Sequence, residues 1–406
     1  MTITMPPQAQ CALAVLESAG YEAYIVGGCV RDELMGRTPG DYDITTSALP
    51  EQVEQCFAGE RTIPTGIKHG TVTVVLDGMP LEITTYRADG EYTDHRRPDS
   101  VSFSTKLGDD LCRRDFTINA MAFSPRRGLV DMYEGRQDIA RRTVRCVGEP
   151  DRRFDEDALR MLRAVRFAAV LDFDIDRDTL NALINRTGDI SYVARERVFA
   201  ELNKAVLANH PQKAFRAGKR LVLASLEMPD GLPEYDDAIE TMPLLPADAA
   251  LRWAALLSGT GADGAKAALT ELRAPNSIIG RTCAAIANRT RNVKPEREKV
   301  LETLSELGEE CLTDALTLAA AQATHAGDAA RADALTQSAA LAHKLVGENA
   351  CFTVRQLAIG GNDLRGLGFS GRSIGETLNA LLIDVIHSRI SNEREALLSR
   401  ASALLK

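Results

Sequence analysis

Two short stretches near the amino end decide the fold predicted for this chain: YIVGGCVRD at residues 24–32 and GDYDITT at residues 40–46. In the first, an apolar run ends in two glycines, which let backbone N–H groups approach phosphate oxygens, and Arg31 adds a fixed cation. In the second, the alternation predicts a strand with Asp41 and Asp43 on the same side. Two such carboxylates repel each other unless a cation lies between them, and their hard oxygens suit Mg²⁺.

A solvated turn is the alternative interpretation of this region, because the pattern Asp-x-Asp is common. The neighbouring pattern Gly-Gly-x-x-Arg favours the phosphate and metal site instead. A Rossmann dinucleotide site fits poorly, because the glycines do not follow Gly-x-Gly-x-x-Gly and no ribose-binding carboxylate follows at the usual spacing.

The pattern around these stretches predicts an α+β fold. A helix is expected over 8–19, and short strands are expected at three places, 71–76, 81–86 and 129–133, the first two flanking the turn signal DGMP. Beyond about residue 147 strand signals fade, and amphipathic helices are predicted over 157–170 and 196–207. Prolines between 211 and 246 indicate a boundary near 210–250. We therefore predict a small mixed sheet with helices, followed by an all-helical remainder.

Composition excludes several classes of protein. Of the 406 residues, 45% are hydrophobic and 26% charged, which is typical of globular domains. No apolar run is long enough to span a membrane, and the amino end lacks a secretion signal. The eight cysteines form no Cys-x-x-Cys pair, which argues against a zinc ribbon and predicts reduced thiols in a cytoplasmic protein.

The charge distribution favours one anionic ligand over general nucleic-acid coating. The net charge is −9, which argues against a nucleic-acid coat protein. Residues 136–166 nevertheless carry nine arginines against six acids. Such a locally basic segment on an acidic chain indicates a site for a single anionic ligand.

The stretch RRDFTINA at 113–120 is a second candidate site. Its arginines could hold a triphosphate, and Asp115 or Asn119 could bind a ribose hydroxyl. The alternative is an exposed helix start with an acid near its amino end.

The stretch EDALRMLRAVR at 156–166 is a third. A continuous helix would place Asp157, Arg160 and Arg163 on one face, where residues three apart are neighbours. A carboxylate beside a guanidinium can read the edge of a nucleobase, accepting from the exocyclic amine of C or A and donating to ring nitrogens or carbonyls. An ordinary ion pair within the helix is the alternative.

Three further features remain open at this point. Glu82 is either a third carboxylate beside the aspartates or an ordinary acid on an edge strand, and we favour the second. The polar segment 89–98 is expected to be a mobile loop that touches substrate. The stretch ERVFAE at 196–201 is expected to brace helices through an Arg–Glu pair at i+4 spacing.

In order and in content, these motifs resemble those of the bacterial class II tRNA nucleotidyltransferases, the CCA-adding enzymes of the DNA polymerase beta superfamily. Five motifs, at 27–32, 41–43, 113–120, 156–160 and 196–201, carry the resemblance over roughly the first half of the chain. The second half is similar mainly in GNDL at 361–364 and NERE at 392–395.

The resemblance implies a nucleotidyltransferase head at 1–146, a helical neck with a nucleobase-reading helix at 147–210, and a helical body and tail at 211–406. It implies template-independent addition of CCA to tRNA 3′ ends from CTP and ATP, with pyrophosphate released. The tail would bind the acceptor and TΨC arm of tRNA. No obligate protein partner and no membrane are expected, and the location is expected to be the cytoplasm.

The resemblance also assigns site residues. Asp41 and Asp43 would bind two Mg²⁺ ions. The triphosphate would contact Gly28, Arg31 and Arg114. Asp115 would favour ribose over deoxyribose, and the base would be read and supported by the neck residues Asp157, Arg160, Arg163 and Arg166.

Alternatives within and beyond this family are an enzyme that adds only A, a poly(A) polymerase, and a tRNA-binding module without activity. The poly(A) polymerase reading is disfavoured because the chain is neither extended nor strongly basic, and the binding module because both aspartates are present. CC-only addition is disfavoured because segment 89–98 is intact, and phosphatase activity is not expected because the sequence lacks a His-Asp doublet.

Overall fold

The computed structural model describes residues 3–88, 102–228 and 230–405. The chain divides into two compact units, Met1–Asp230 and Gly231–Lys406. Unit 1 holds a sheet with helices, and the described part of unit 2 is helical. The predicted α+β class is therefore confirmed. Across the described ranges, no helix combines the length and apolar character that crossing a bilayer requires.

Seven strands of unit 1 form one mixed sheet in the order β3-β4-β5-β2-β1-β6-β7. The strands are β1 (Ala23–Val26), β2 (Ile44–Thr46), β3 (Arg61–Gly66), β4 (Thr71–Leu76), β5 (Met79–Thr85), β6 (Met121–Ser124) and β7 (Gly128–Asp131). Strands β2 and β5 are parallel, and the other neighbouring strands are antiparallel. Strand β5 therefore lies inside the sheet, paired on both sides.

Helices cover both faces of this sheet. The helices of unit 1 are α1 (Pro7–Ser18), α2 (Gly28–Leu34), α3 (Pro50–Cys56), α4 (Leu107–Cys112), α5 (Gly135–Arg141), α6 (Pro150–Glu156), α7 (Leu159–Leu171), α8 (Arg177–Asn185), α9 (Arg195–Val206), α10 (Pro211–Ala217) and α11 (Lys219–Ser225). On one face, Leu13 and Leu16 of α1 share a buried core with Ile25 of β1. On the other, Val26 of β1 packs with Leu111 of α4. This alternation along β1 is the two-residue period of a strand buried on both faces.

The hairpin predicted around DGMP is present, with a tighter turn than expected. Strand β5 begins at Met79, so the turn consists of Asp77 and Gly78, whose φ angles are 46° and 82°. Two positive φ angles are typical of the two-residue turns that match strand twist. The predicted strand over 41–46 is shorter, because β2 begins only at Ile44. Strands β3 and β6 were not predicted.

The predicted continuous helix over 157–170 is wrong at its start. Helix α6 ends at Glu156, and Asp157 is extended, with φ −152° and ψ 104°. Helix α7 then begins at Leu159, whose backbone N–H donates to the Asp157 carboxylate at 3.0 Å. Asp157 therefore precedes α7 instead of lying on its face, and its carboxylate accepts from the first N–H of the helix, which has no partner within the helix.

Unit 2 consists of packed helices in the part of the chain that is described. They are α12 (Tyr235–Thr241), α13 (Ala249–Leu257), α14 (Gly261–Glu271), α15 (Asn276–Asn288), α16 (Arg297–Leu307), α17 (Glu309–His325), α18 (Ala329–Gly347), α19 (Gly361–Gly366), α20 (Arg372–Ile386) and α21 (Arg394–Leu404). Trp253 of α13 is fully buried. Arg281 of α15 binds both Asp248, the cap of α13, and Asp314 of α17, at 3.0 and 2.9 Å. This bridge ties three helices together.

The turn of the β4–β5 hairpin gives a test of the register of the sheet. In Gly78→Ala the new methyl group would meet open space, so only the positive φ opposes it. We expect unit 1 to lose about 1 kcal/mol of unfolding free energy, measured by urea denaturation. Gly59→Ala is the matched control, because it also meets open space but lacks a positive φ. Equal stability of the two variants would contradict the described turn.

Candidate active site

A cavity of about 400 Å³ opens between the sheet of unit 1 and helices α7 and α9. Its lining is mostly polar and consists of Val26, Asp43, Ile44, Thr71, Glu82, Thr84, Arg87, Arg113, Arg114, Asp115, Asp157, Leu159, Arg160, Arg163 and Arg197. Six residues named from the sequence meet here, namely Asp43, Arg114, Asp115, Asp157, Arg160 and Arg163. The other four, Gly28, Arg31, Asp41 and Arg166, do not line the cavity.

One wall of the cavity carries carboxylates. Strands β2 and β5 pair in parallel with Ile44 opposite Ile83, so Asp43 and Glu82 are neighbours across the two strands. Partial burial, together with the negative charges of Asp41 and Glu82, raises the pKa of Asp43 to about 6, and the nearby Arg114 acts in the opposite direction. Our reading of Glu82 as an ordinary edge-strand acid is wrong, because β5 is an interior strand and Glu82 faces the cavity.

These carboxylates fit a divalent cation. Within the described ranges, Asp41 and Asp43 accept no side-chain hydrogen bond and form no ion pair, so their charge is not neutralised by a protein partner. The same ranges contain no group of three or more His, Cys, Asp or Glu that would enclose a metal unaided. Magnesium typically takes only one or two protein carboxylates and completes its shell with water and substrate phosphate. Asp41 and Asp43 could therefore supply the protein ligands of such an ion.

Arginines form the facing wall, and Asp110 of α4 orients two of them. Its buried carboxylate accepts from Arg114 Nη2 at 3.1 Å and Arg113 Nε at 3.4 Å, and from the Thr45 hydroxyl at 3.3 Å. Despite burial, these cations lower the pKa of Asp110 below its ordinary value. Gly27 lets Arg114 approach, because a Cβ there would lie 2.9 Å from Arg114 Nη1.

Asp115 forms the most completely satisfied ion pair of the cavity. Its Oδ2 accepts from Arg163 Nε and Nη2, at 2.8 and 2.5 Å. Its Oδ1 accepts from the Phe116 backbone N–H at 2.8 Å and from Asn119 Nδ2 at 3.1 Å. Although burial opposes ionisation, Arg163 and these donors hold the pKa of Asp115 at about 2. The two carboxylate oxygens of Asp115 thus accept hydrogen bonds from four N–H groups.

The two residues predicted to read a nucleobase are arranged differently from the prediction. Asp157 and Arg160 are not paired on one helix face. The second oxygen of Asp157 accepts from Arg197 Nη2 of α9 at 3.1 Å. Arg160 donates instead to Glu156 Oε2 at 2.6 Å and to the carbonyls of Arg153 and Arg113, each at 3.0 Å. The predicted alternative, an Asp157–Arg160 ion pair, is therefore also wrong.

Of the four residues outside the lining, Asp41 lies close enough to Asp43 to raise its pKa, and the other three belong to helices α2 and α7. Gly28 begins α2, and Arg31 of the same helix donates to Asn119 Oδ1 at 2.6 Å and pairs with Asp32 at 2.8 Å. Arg166 pairs with Glu201 of α9 at 2.6 Å. The expected i+4 ion pair between Arg197 and Glu201 is absent among the described residues. Arg197 pairs instead with Asp157, and Glu201 pairs with Arg166 of α7.

Four lining residues were not assigned to the site from the sequence. Arg87 was not named, Glu82 and Arg197 were given structural roles, and Arg113 was cited only with Arg114 as an arginine that could hold a triphosphate. Arg113 lies within a quoted motif, and its doublet with Arg114 was a usable signal. Arg197 reaches Asp157 across 40 positions of sequence, so local spacing carries no signal for this pair. Segment 89–98, expected to be a loop that touches substrate, lies outside the described residues.

Replacing Asp115 tests the ion pair beneath the cavity. In Asp115→Asn, Arg163 loses its anion, and we expect a loss of roughly 3 kcal/mol of unfolding free energy at pH 7. The folded pKa of about 2 lies below the ordinary 3.8, so ionisation stabilises the fold above pH 4 and less as pH falls toward 2. The stability difference between wild type and variant, measured by urea denaturation, should therefore narrow between pH 7 and pH 3.5. A difference that widens on acidification would contradict the assignment.

Comparison with known families matches three segments of the chain. The poly A polymerase head domain matches residues 23–145. The probable RNA and SrmB-binding site of polymerase A matches residues 172–221, and the putative domain 2 of tRNA nucleotidyltransferases matches residues 246–401.

Individual relatives cover nearly the whole chain. A CCA-adding enzyme of Streptococcus thermophilus is 34% identical over 98% of both chains, and one of Geobacillus kaustophilus is 37% identical over 96% of both. The crystal structure of the Bacillus stearothermophilus CCA-adding enzyme in complex with CTP is 31% identical, with a TM-score of 0.79 over 99% of this chain and 98% of that one. The Thermotoga maritima CCA-adding enzyme complexed with tRNA shares the fold at 21% identity, with a TM-score of 0.67 over 99% of this chain and 97% of that one. With identity above 30% over almost the full length of both partners, the chain belongs to the CCA-adding enzymes, a family of tRNA nucleotidyltransferases.

Proposed function

We propose that the cavity of unit 1 adds C, C and A in turn to the 3′ end of tRNA, using CTP and ATP and releasing pyrophosphate. The observation that carries this proposal is that two walls of the cavity face each other. One wall carries carboxylates, and the other carries arginines. Such opposed charges suit a nucleoside triphosphate bound together with its metal ions. The family membership and the CTP complex of the Bacillus stearothermophilus relative support the same substrate class.

Asp41 and Asp43 are the residues that would hold the metal, with Glu82 as the neighbouring third carboxylate. Nucleotidyltransferases of this family generally use a divalent ion, and we propose two Mg²⁺ ions. Bound there, the ions would supply a Lewis acid that lowers the pKa of the tRNA 3′-OH and neutralises charge on the departing pyrophosphate. The chain itself supplies carboxylate oxygens from β5 and from the residues that precede β2.

The triphosphate is assigned to the arginine wall. Arg113 and Arg114 are fixed by Asp110, which leaves less conformational freedom to lose when phosphate binds. Gly27 admits the Arg114 guanidinium next to the start of α2, and Gly28, the first residue of that helix, is assigned to the triphosphate as well. Arg31 acts behind this wall, through Asn119 and the Asp115 pair, so its proposed role is support and not direct contact.

The base is assigned to Asp157 and Arg160, which reach the cavity from the junction of α6 and α7. The Asp157 carboxylate is held by the Leu159 N–H and by Arg197, and the Arg160 guanidinium by Glu156 and two carbonyls. Fixed acceptors and donors can replace the pairing base of a nucleic-acid template. Arg163 and Arg166 support this wall. If Asp115 recognises the ribose, a ribose hydroxyl would have to displace one of the four N–H groups that donate to the Asp115 carboxylate.

The helical part of the chain is proposed to bind tRNA through its acceptor and TΨC arm. The family matches at 172–221 and 246–401 and the tRNA complex of the Thermotoga maritima relative support this assignment. Double-stranded RNA is recognised mostly by shape and by phosphate and 2′-hydroxyl contacts, so a chain of net charge −9 needs only a local basic track. We further propose the head, neck and body limits of 1–146, 147–210 and 211–406, and a cytoplasmic location.

The activity is tested with tRNA ending at the discriminator base, at C or at CC. Purified protein with Mg²⁺ and labelled CTP or ATP should complete CCA on all three substrates. Asp41→Asn and Asp43→Asn should each reduce incorporation at least a thousandfold, because the carboxylates that bind the metal are lost, while the affinity for tRNA measured by filter binding changes less than threefold.

Asp77→Asn is the matched control, because Asp77 is exposed at the far end of the β4–β5 hairpin and asparagine tolerates its positive φ. It should retain full activity. Addition of A alone, to the CC-ended tRNA only, would assign the chain to an A-adding specialist. Full incorporation by Asp43→Asn would refute the metal assignment.

A further inference from the structure

Behind the cavity, three arginines surround one phenylalanine. The guanidinium carbon of Arg166 lies 4.2 Å from the ring centroid of Phe167, that of Arg31 lies 5.2 Å away and that of Arg163 lies 5.5 Å away. All three distances are within the range of a cation–π interaction. Phe167 is 5% exposed, so its ring is removed from water.

The three cations come from two helices, α2 and α7, and each pairs with a different acid. Arg31 of α2 pairs with Asp32, Arg163 of α7 with Asp115, and Arg166 with Glu201 of α9. Like charges held this close repel each other, and the negative face of an aromatic ring offsets part of that repulsion. Phe167 is thus the group that the three ion pairs share.

The ring itself is fixed by a second aromatic residue. Phe116, which is fully buried, meets it edge to face, with centroids 5.7 Å apart and an interplanar angle of 81°. Such a contact defines one orientation of the ring. Phe116 directly follows Asp115, so the residue that fixes the ring and the acid that holds Arg163 belong to the same short segment.

Arg163 connects this cluster to the cavity. It is the member of the three that lines the cavity, and its side chain is 34% exposed. Its Nε and Nη2 are taken by Asp115, whereas within the described ranges its Nη1 donates no hydrogen bond. The position of Nη1 is therefore set by two contacts, the carboxylate on one side and the Phe167 ring on the other.

We propose that Phe167 is a positioning residue for the incoming nucleotide, whose ring holds the Arg163 guanidinium so that Nη1 stays available at the cavity wall assigned to the nucleotide. This inference rests on the proposed function of the cavity. It predicts that the electron density of the ring, and not only its volume, sets the affinity for CTP and ATP. A residue that served packing alone would respond to volume and not to electron density.

Fluorinated phenylalanines at position 167 separate these two roles. Successive fluorine atoms weaken the negative face of the ring with little change of shape, so packing is nearly conserved. With one, two and three fluorine atoms, the KM for both CTP and ATP should rise stepwise, reaching ~3- to 30-fold for the trifluoro ring. The value of kcat should change less than twofold, and the equilibrium Kd for CTP without tRNA should rise in parallel with KM.

Phe167→Leu extends the series to a side chain without a ring, and Phe173→Leu is its matched control. Phe173 is also buried in unit 1, and no cation lies over its ring in the described ranges. Both leucine variants should lose thermal stability, but only Phe167→Leu should weaken CTP binding.

The outcomes separate this inference from the proposed function. Wild-type protein that incorporates no nucleotide would refute the proposed function. If wild type is active and the KM and Kd are the same for every fluorinated ring, the positioning role of Phe167 is refuted. An equal rise of KM in Phe167→Leu and Phe173→Leu would likewise assign the effect to lost packing.

Discussion

The ion pair between Asp115 and Arg163 is the interaction on which the geometry of the cavity depends. It joins the segment that follows α4 to helix α7, across 48 positions of sequence. Neither partner lies on the sheet, yet together they fix how close α7 comes to it. Asp115 also accepts from Asn119, and Asn119 accepts from Arg31. These hydrogen bonds connect the ion pair to helix α2, which begins in the first glycine motif.

The arginines and the carboxylates of the cavity differ in whether they have ionic partners within the protein. Most arginines of its wall have acids of their own, such as Asp110 for Arg113 and Arg114 and Glu156 for Arg160. The aspartates that precede β2 have no such partners within the described ranges. The paired arginines are held in place at the cavity wall, whereas burial, together with the charges of Asp41 and Glu82, raises the pKa of Asp43. The imbalance favours binding of cations on one wall and of phosphate on the other.

Much of this arrangement could be predicted from local sequence. The strand before Gly27, the β4–β5 hairpin and the helical second half all follow from periodicity and turn residues, which act over a few positions. Motif order likewise indicated the family. The site residues that come together in the cavity were named from the same motifs.

Contacts between distant segments could not be predicted in this way. At the break between α6 and α7, the Asp157 carboxylate accepts from the Leu159 N–H and from Arg197, and the second is a tertiary contact that helix propensity does not encode. Glu82 was misassigned because strand order, and not strand sequence, places β5 inside the sheet. Phe167 is one of several buried apolar residues of α7, and what distinguishes it is a tertiary feature, the three arginines around its ring.

The central claim is that protein groups, and not a nucleic-acid template, choose the base. The most direct measurement compares the incorporation of CTP, ATP, GTP and UTP on C-ended and CC-ended tRNA by wild type and by Asp157→Ala. The account predicts that the preference for C and A over G and U falls at least tenfold, because the acceptor for their exocyclic amines is lost. Unchanged selectivity at a reduced overall rate would contradict it.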